Sequence, residues 1–125
     1  MQPAVPTIEI GPAPSTWAGL IAILQTSRKH PGRIDSLPPV CYLRHNVQLD
    51  AADIKAYAQV CGYTPLQGVP LLYPQMLTFP LAMAYFASDH CPWPALGTVH
   101  LANRVQQHAP LHLSDTLRVE MRPGL

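Results

Sequence analysis

Residues 75–88, QMLTFPLAMAYFAS, constrain the fold more than any other part of the chain. The apolar side chains recur at helical spacing on two faces: Met76, Phe79, Met83 and Phe86 on one, and Leu77, Leu81 and Tyr85 on the other. The segment carries no charge, and it is shorter than the roughly 20 residues that a bilayer span requires. A helix that is apolar on nearly every side is buried on nearly every side. The sequence therefore predicts a core helix that needs a sheet wrapped around it.

Two shorter helices are predicted before it. The first starts at Ser15 or Thr16, either of which can cap it, and runs through about Thr26. The second covers residues 50–62, because Asp50 suits the N-cap and the final glycine suits the position just past the end. The first helix has one apolar face and the second a stripe that is expected to be buried: Trp17, Leu20, Ile21 and Leu24 in the first, and Ile54, Tyr57, Ala58 and Cys61 in the second.

Three segments alternate apolar and polar residues and are predicted as strands: 40–49, 97–111 and 114–121. In the first strand the side chains divide between two faces: Cys41, Leu43, Val47 and Leu49 on one, and Tyr42, Arg44, Asn46 and Gln48 on the other. His45 falls on the apolar side, where a hydrogen-bonded core histidine fits better than a metal or substrate ligand without partners. The last two strands follow each other through a short connection, so the sheet is expected to be antiparallel.

The arm and the composition limit the classes of function. Residues 1–14 hold four prolines and are expected to form an extended, irregular arm. The net charge of +1 gives no broad field that would attract nucleic acid or an anionic membrane. Charged residues make up 12% of the chain, against about 25% in a typical globular domain. Such a surface is expected to be covered in part by another subunit or by further sequence.

The cysteines and the N-terminus indicate the compartment. Cys41, Cys61 and Cys91 are far apart and form no CxxC pair, so reduced, buried thiols are expected, with no disulfide framework and no metal site. No basic residue precedes the first apolar run, so no secretory signal is predicted. The expected location is the cytoplasm.

Two polar clusters raise the question of a site. In SDHCPWP, residues 88–94, an acid, an imidazole and a thiol are adjacent, but neighbouring residues at a helix end point in different directions. Two prolines follow, so the stretch is interpreted as a helix stop. Arg28, Lys29 and Arg33 fit either a phosphate site or a solvated helix end that the helix dipole favours.

Three stretches, in this order and spacing, carry a resemblance to a known family: LDAADIKAYAQVCGY, LLYPQMLTFPLAMAYFAS and PWPALGTVHLANRVQQHAPLHLSDTLRVEM. From about residue 40 to residue 121 the chain resembles the N-terminal hot-dog half of MaoC-like acyl dehydratases, the (R)-specific enoyl-CoA hydratase group. The resemblance implies an α+β hot-dog fold, in which a curved antiparallel sheet wraps a long buried helix. Three strands are few for such a sheet, so the fold is expected to be incomplete at the C-terminus. Residues 1–39 are then an arm with a short helix, and residues 40–125 a partial hot-dog domain.

The departure from the family lies in its catalytic segment. The resemblance implies that an Asp and a His in a D-x-N-P-x-H segment perform acid–base chemistry on an acyl thioester, near a helix N-terminus that binds the thioester oxygen. In this chain YAQVCGYTPLQG stands there, with Tyr63 in place of the Asp and no histidine in residues 64–70. Pro74 and Gln75 replace the usual HG pair at the start of the long helix. No catalytic residue and no metal ligand is therefore assigned.

The resemblance then implies the non-catalytic half of an acyl-CoA dehydratase or enoyl-CoA hydratase, which are hydro-lyases. The chain alone is expected to be inactive, because a partner hot-dog domain supplies the Asp and His. The expected partner is a second hot-dog domain, in a homodimer or in a catalytic partner chain. The candidate substrate-binding residues are Tyr73, Met76, Met83 and Arg104. Methionines can line an adaptable acyl pocket or fill a core, and Arg44 and Arg104 fit either CoA phosphates or a solvated sheet face. No cofactor besides the acyl-CoA substrate, no nucleic acid and no membrane is expected.

Two other functions stay open. The chain fits a stand-alone acyl-binding or dimerisation module without enzymatic activity, which pairs with itself through the edge of its sheet. A thioesterase on the same fold is disfavoured, because the long helix contains no Asp or Glu to act as its base.

Overall fold

The computed structural model describes residues 4–12, 15–63 and 68–124. Within them the chain forms three α-helices and three strands: β1 Thr7–Glu9, α1 Thr16–Gln25, β2 Cys41–Gln48, α2 Ala51–Val60, α3 Pro74–Ala87 and β3 Thr116–Met121. A short 3-10 helix, Thr26–Arg28, continues α1. The loop residues 64–67, with Pro3 and Pro14 of the predicted arm, lie outside the described residues. None of the helices in the described ranges is long and apolar enough to cross a membrane.

The three predicted helices are confirmed, and their starts follow local chemistry. Ser15 Oγ accepts from the N–H of Ala18 at 3.4 Å, which caps α1. Asp50 Oδ1 accepts from the N–H groups of Ala52 and Asp53 at 2.7 and 3.3 Å, which caps α2. These side chains satisfy donors that have no partner inside the helix.

The sheet has the order β1-β2-β3 and is mixed rather than antiparallel. β1 pairs with β2 in parallel, and β3 pairs with β2 in antiparallel orientation. The expectation of a wholly irregular arm is therefore wrong for Thr7–Glu9. Three residues are too few to show the alternation that predicts a strand. β1 forms because the backbone of β2 takes up its hydrogen bonds, and just past its end the N–H of Ile10 donates to Leu43 O at 2.7 Å.

β2 and β3 pair with one irregularity in their register. Arg44 lies opposite Val119 and Val47 lies opposite Leu117, so β2 carries one residue more than β3 between these pairs. Asn46 sits in this interval with φ of 54°, in the left-handed region. An extra residue with such a conformation is a β-bulge, and Asn tolerates the left-handed region better than most residues.

The bulge changes which side chains of β2 face the core. Tyr42, Arg44 and Val47 now lie on one face, because their cross-strand partners alternate along β3. Tyr42 is 1% exposed, and Arg44 donates to Leu77 O at 3.4 Å, so neither occupies a solvated sheet face as predicted. His45 is exposed rather than a core histidine. Tyr42 and Arg44 precede the bulge, and Cys41, Tyr42 and Leu43 are all buried, so the start of β2 is covered on both faces rather than on one. The prediction for His45 fails because strict alternation does not hold across the bulge.

α3 packs on the sheet through one face only. Leu81 and Tyr85 are buried, whereas Met76 and Phe79 are 54% and 60% exposed. The prediction that α3 is buried on nearly every side is therefore wrong in this chain. Three strands cover only the side of the helix that faces them, and α1 contacts another part of it.

Two other apolar faces that were predicted to be buried are exposed to solvent, wholly or in part. The face of α1 that holds Trp17, Leu20, Ile21 and Leu24 is exposed, with Trp17 at 77%. In α2, Ile54 is buried, but Cys61 lies past the end of the helix and is exposed. The thiols of Cys41 and Cys91 are buried, as predicted.

The segment 97–111 is not a strand, contrary to the prediction. Every residue from 96 to 110 is exposed. Alternation predicts the side-chain pattern of a strand, but a strand also needs a neighbour that takes up its backbone hydrogen bonds. β3 pairs with β2 along one edge, and no described strand lies beside 97–111.

Two apolar clusters make up the core. The first joins β2 to the C-terminal half of α3: Val40, Tyr42, Leu81, Tyr85 and Cys91. The second lies under α2 and the start of α3: Leu49, Ile54 and Tyr73. Together they give a layer of helices on a three-stranded sheet, an arrangement compatible with a hot-dog fold.

Candidate functional site

A cavity lies beside the N-terminal end of α3. It has a volume of about 640 Å³ and is bounded by residues 69–72, the first turns of α3, and the segment 104–111. The loop before α3 contributes apolar walls such as Val69 and Leu72, and the segment contributes the polar groups Arg104 and His108. A cavity of this size, apolar on one side and polar on the other, suits an elongated amphipathic ligand.

Glu120 contributes the carboxylate among the described residues that line this cavity. Its Oε1 accepts from Arg118, and its Oε2 accepts from Arg122 Nη2 at 3.1 Å. Two guanidinium groups therefore already hold the oxygens that a general base would need. Among the described residues, this wall offers an ion-paired carboxylate rather than a free one.

The start of α3 offers few free hydrogen-bond donors to a ligand. Pro74 has no N–H, the N–H of Gln75 donates to Leu72 O at 3.1 Å, and the N–H of Met76 donates to Tyr73 O at 2.9 Å. A helix N-terminus binds anions through unpaired N–H groups. At these three positions the groups that would hold a developing oxyanion are absent or in use.

Of the four predicted substrate-binding residues, only Arg104 lines the cavity. Tyr73 is buried in the second core cluster, with its ring edge-on to that of Tyr57 at 5.6 Å between centroids. Burial, followed by the nearby charges of Asp53 and Asp50, raises the pKa of Tyr73.

The two predicted methionines lie on α3 but not in the wall of this cavity. Met76 is exposed beside the lining residue Gln75, and Met83 is half-buried further along the helix. Sequence reasoning did not single out Gln75, Thr78, His108 and Glu120 as cavity residues. For His108 a signal existed, because it shares the polar side of the 97–111 alternation with Arg104.

Tyr63, which stands where the related family has its Asp, lines a second cavity of about 360 Å³. Its walls are the side of α2 that holds Ile54 and Ala58, with Leu113 opposite. No carboxylate and no imidazole lines it among the residues that the structure describes. The ring of Tyr63 lies 6.3 Å from that of Tyr57.

The SDHCPWP stretch ends α3 and tethers that end to the sheet, so the predicted helix stop is confirmed. Tyr42 Oη donates to Ser88 Oγ at 2.8 Å and lies 3.3 Å from His90 Nδ1. The Cys91 thiol donates away from this group, to Trp93 O at 3.6 Å, and Asp89 is exposed. The acid, imidazole and thiol do not converge.

The basic cluster divides between two roles. Lys29 Nζ donates to the carbonyls of Phe86, Ser88 and Cys91, at 2.7, 2.6 and 2.8 Å. Arg33 pairs with Asp35 at 3.0 Å on the surface. Lys29 thus caps a helix end, but it is the end of α3 rather than of the helix that precedes it. The cluster does not converge on a phosphate site.

The described residues contain no group of three His, Cys, Asp or Glu side chains that could hold a metal ion. The chemistry available at the larger cavity is therefore recognition by Arg104, His108 and amide groups, with apolar contacts from the loop.

Comparison with known proteins gives one informative relative. Over 90 residues the chain is 34% identical to the 3-hydroxyacyl-thioester dehydratase X of Mycobacterium tuberculosis. The match covers 72% of this chain and 32% of the relative, so the chain spans about a third of the length of that protein. No protein-family model matches the chain, and no solved structure matches it. This relative supports the resemblance, and the chain belongs to the family of MaoC-like acyl dehydratases.

Proposed function

We propose that this chain is a non-catalytic hot-dog unit of an acyl-thioester dehydratase or enoyl-CoA hydratase. It shapes the pocket for the acyl-CoA thioester, and a second hot-dog domain supplies the catalytic Asp and His. That second domain belongs to a catalytic partner chain, because a second copy of this chain would carry Tyr63 at the same position. A homodimer belongs to the alternative below. The relative's name gives the class of substrate, and it describes a protein about three times as long as the match.

One observation carries the proposal. The 640 Å³ cavity lies at the start of α3, and the carboxylate among its described lining residues is held by two arginines. The Asp position of the family is Tyr63, whose phenol has a usual pKa near 10 and is a poor base at neutral pH. The imidazole of His108 also lines the cavity, but no free carboxylate stands beside it among the described lining residues, so the family's pair of Asp and His is not assembled there. Such a site suits binding rather than proton transfer.

The binding roles follow from the chemistry of each side chain. Arg104 presents a permanent positive charge to the cavity, which suits a phosphate of coenzyme A. Met76 and Met83 lie on α3 seven residues apart, close to one helix face, and suit an acyl chain of variable length. Tyr73 supports the floor of the site from the second core cluster.

Binding and activity are tested separately. The purified chain is expected to bind crotonyl-CoA in calorimetry and to leave its enoyl absorbance unchanged. Arg104→Gln is expected to weaken the binding of coenzyme A and of crotonyl-CoA alike, by about tenfold, because one charge-assisted hydrogen bond is lost. Leu72→Ser, in the apolar wall of the cavity, is expected to weaken the binding of crotonyl-CoA alone.

Arg28→Gln is the matched control for Arg104→Gln, since Arg28 is exposed and lines neither cavity. Hydration of crotonyl-CoA by the chain alone, retained in Tyr63→Phe, would contradict a non-catalytic role. If neither coenzyme A nor crotonyl-CoA binds to the chain, the cavity is not an acyl-CoA pocket.

The alternative is a stand-alone acyl-binding or dimerisation module, and one observation favours it. The open segment 99–110 presents apolar side chains to solvent, and no backbone–backbone hydrogen bond involves it within the described ranges, which is typical of a surface that pairs. A stable homodimer that binds crotonyl-CoA, and gains no activity with any hot-dog domain bearing D-x-N-P-x-H, would support this alternative.

A further inference from the structure

A third cavity lies at the C-terminal end of α3 and has a volume of about 460 Å³. Because α3 has 14 residues, its two ends lie about 20 Å apart, so this cavity is remote from the one beside the start of the helix. Its apolar walls come from β1 and from the last turns of α3: Ile8, Ile10, Ala84 and Ala87. A cavity of this size with short apolar side chains admits a small molecule.

The polar end of this cavity is formed by residues 88–90, which follow the helix, and by Tyr42 at its base. The hydrogen bonds there have only one possible direction. The carbonyl of Tyr85 can only accept, so the Ser88 hydroxyl donates to it, at 2.8 Å. Ser88 Oγ then has no proton left for Tyr42, so it accepts from Tyr42 Oη, also at 2.8 Å.

This order of donors fixes the tautomer of His90. Tyr42 Oη gives its only proton to Ser88, so toward His90 Nδ1, 3.3 Å away, it can only accept. Nδ1 therefore carries the ring proton, and Nε2 of the neutral imidazole is an acceptor. Within the described ranges no hydrogen bond reaches Nε2, although the ring is half-buried in the lining of the cavity.

The charges around the cavity favour a ligand that brings its own donors and a positive charge. Asp89 is exposed in the lining and takes part in no ion pair among the described residues. Lys29 reaches the same helix end, but its three protons are used on backbone carbonyls. No Lys or Arg side chain lines the cavity in the part of the chain that the structure describes. The negative end of the α3 dipole lies at the same point.

We propose that this cavity binds a small organic amine in its ammonium form, with an apolar body about the size of a phenyl ring. The ammonium group donates to His90 Nε2 and pairs with Asp89, and the apolar body lies against β1 and Ala87. Tyr42 and Ser88 are positioning residues, because they hold His90 in the tautomer that accepts. The site is independent of the proposed function, since it shares no lining residue with the cavity beside the start of α3.

Three probes of similar shape and different head group test the binding: 2-phenylethylamine, 2-phenylethanol and 3-phenylpropionate. They are titrated into the full chain at pH 8, where histidine side chains are neutral, and followed by the amide signals of residues 87–90 in NMR. The amine is expected to bind with a Kd of about 1 mM, and the alcohol about tenfold more weakly, because it lacks the charge. The carboxylate is expected not to bind, because it meets Asp89 and an acceptor nitrogen.

Two variants test the two ends of the site. Ala87→Leu places a larger side chain in the cavity from an exposed position, and is expected to weaken amine binding by about tenfold or more with the fold unchanged. Asp89→Asn is expected to weaken it by about twofold to fivefold, the usual range for an exposed ion pair. Asp35→Asn is the control, since Asp35 is exposed and lies outside the cavity.

The tautomer of His90 is tested without a ligand. Long-range correlations between ring protons and ring nitrogens at pH 8 are expected to show Nδ1–H for His90, with the exposed His45 as the reference ring. In Tyr42→Phe the accepting Oη is absent, so His90 is expected to shift toward the Nε2–H form and the amine to bind less tightly. A residue with a purely structural role would not change the tautomer.

Four results would each overturn the proposal. These are a wild-type His90 that is mainly Nε2–H, no saturable binding of the amine at millimolar concentration, amine binding that Ala87→Leu leaves unchanged, and binding of 3-phenylpropionate as tight as that of the amine.

Discussion

Lys29 Nζ lies 2.6 Å from the carbonyl oxygen of Ser88, at the point where α3 ends. The same ammonium group donates to the carbonyls of Phe86 and Cys91. It thus uses all three of its protons on carbonyls that have no partner inside the helix. Through this contact the segment after α1 holds the C-terminal end of the long helix.

Replacing Lys29 is expected to destabilise the chain. In Lys29→Met the aliphatic stem is kept, but three carbonyls at the negative end of α3 lose a charged donor. The free energy of unfolding in urea is expected to fall by about 1.5–3 kcal/mol, the range for hydrogen bonds to charged groups. Arg28→Met is the control, since Arg28 is exposed. An equal loss in both variants would show that the three carbonyl contacts do not stabilise the fold.

Two core tyrosines are expected to respond in opposite ways to loss of the hydroxyl. Tyr85 Oη is buried and has no hydrogen-bond partner among the described residues, whereas Tyr42 Oη donates to Ser88 Oγ at 2.8 Å. At pH 7, Tyr85→Phe is expected to leave the midpoint of thermal unfolding unchanged or higher, because an unsatisfied buried group is removed. Tyr42→Phe is expected to cost about 1 kcal/mol, the typical net value of a hydrogen bond. A larger loss of stability in Tyr85→Phe than in Tyr42→Phe would contradict the hydrogen-bond partners assigned to the two hydroxyl groups.

The free energy of unfolding is expected to fall at alkaline pH because of Tyr85. Burial, followed by the neighbouring Cys91 thiol, raises the pKa of Tyr85 to about 12, from 10.0. Between these values the unfolded chain loses the phenolic proton and the folded chain keeps it, so the unfolded state binds fewer protons. The contribution of Tyr85 to the free energy of unfolding is fully present below pH 10 and is lost as the pH rises toward about 12. Burial also raises the pKa of Tyr73, which acts in the same direction.

Urea unfolding from pH 9 to pH 12 checks this dependence. Tyr85→Phe is expected to lose less stability over the range than the wild type, whereas Tyr63→Phe, at an exposed position, should follow the wild type. If the free energy of unfolding of Tyr85→Phe falls with pH as steeply as that of the wild type, burial does not raise the pKa of Tyr85.

The bulge in β2 gives a prediction at Asn46. With φ of 54°, this residue occupies a region where a β-branched side chain is strained. Asn46→Gly is expected to be close to neutral, and Asn46→Val to cost about 1–2 kcal/mol, the usual penalty of the left-handed conformation. Gln48→Val is the control, because Gln48 is an exposed position of the same strand without the positive φ. If Asn46→Val unfolds at the wild-type urea concentration, the bulge is absent in solution.

Much of the fold could be predicted because its signals are local. The caps at Ser15 and Asp50 act on N–H groups within three residues, so the starts of α1 and α2 follow from short stretches. The helix stop after Ala87 follows from the prolines at 92 and 94 in the same way. The family resemblance also rested on contiguous stretches, and it agrees with the curated relative.

The candidate site was predicted less well, since it joins distant segments. Arg104 was found because its alternating segment marked a polar side, and that side does line the larger cavity. Tyr73 and Met76 are close to the cavity in sequence, but helix direction sends the first into the core and the second to the surface. Glu120 was missed because only the pairing of β3 with β2 brings that position near the start of α3.

The amino-acid sequence by itself determined the helices, the strands at Cys41–Gln48 and Thr116–Met121, the family, and the replacement of the expected Asp by Tyr63. Only the tertiary structure decided the parallel strand Thr7–Glu9, the inward turn of Tyr42, and the open state of 97–111. The physical reason is common to all three. A helix closes its hydrogen bonds within four residues, whereas a strand depends on a neighbour that its own sequence does not specify.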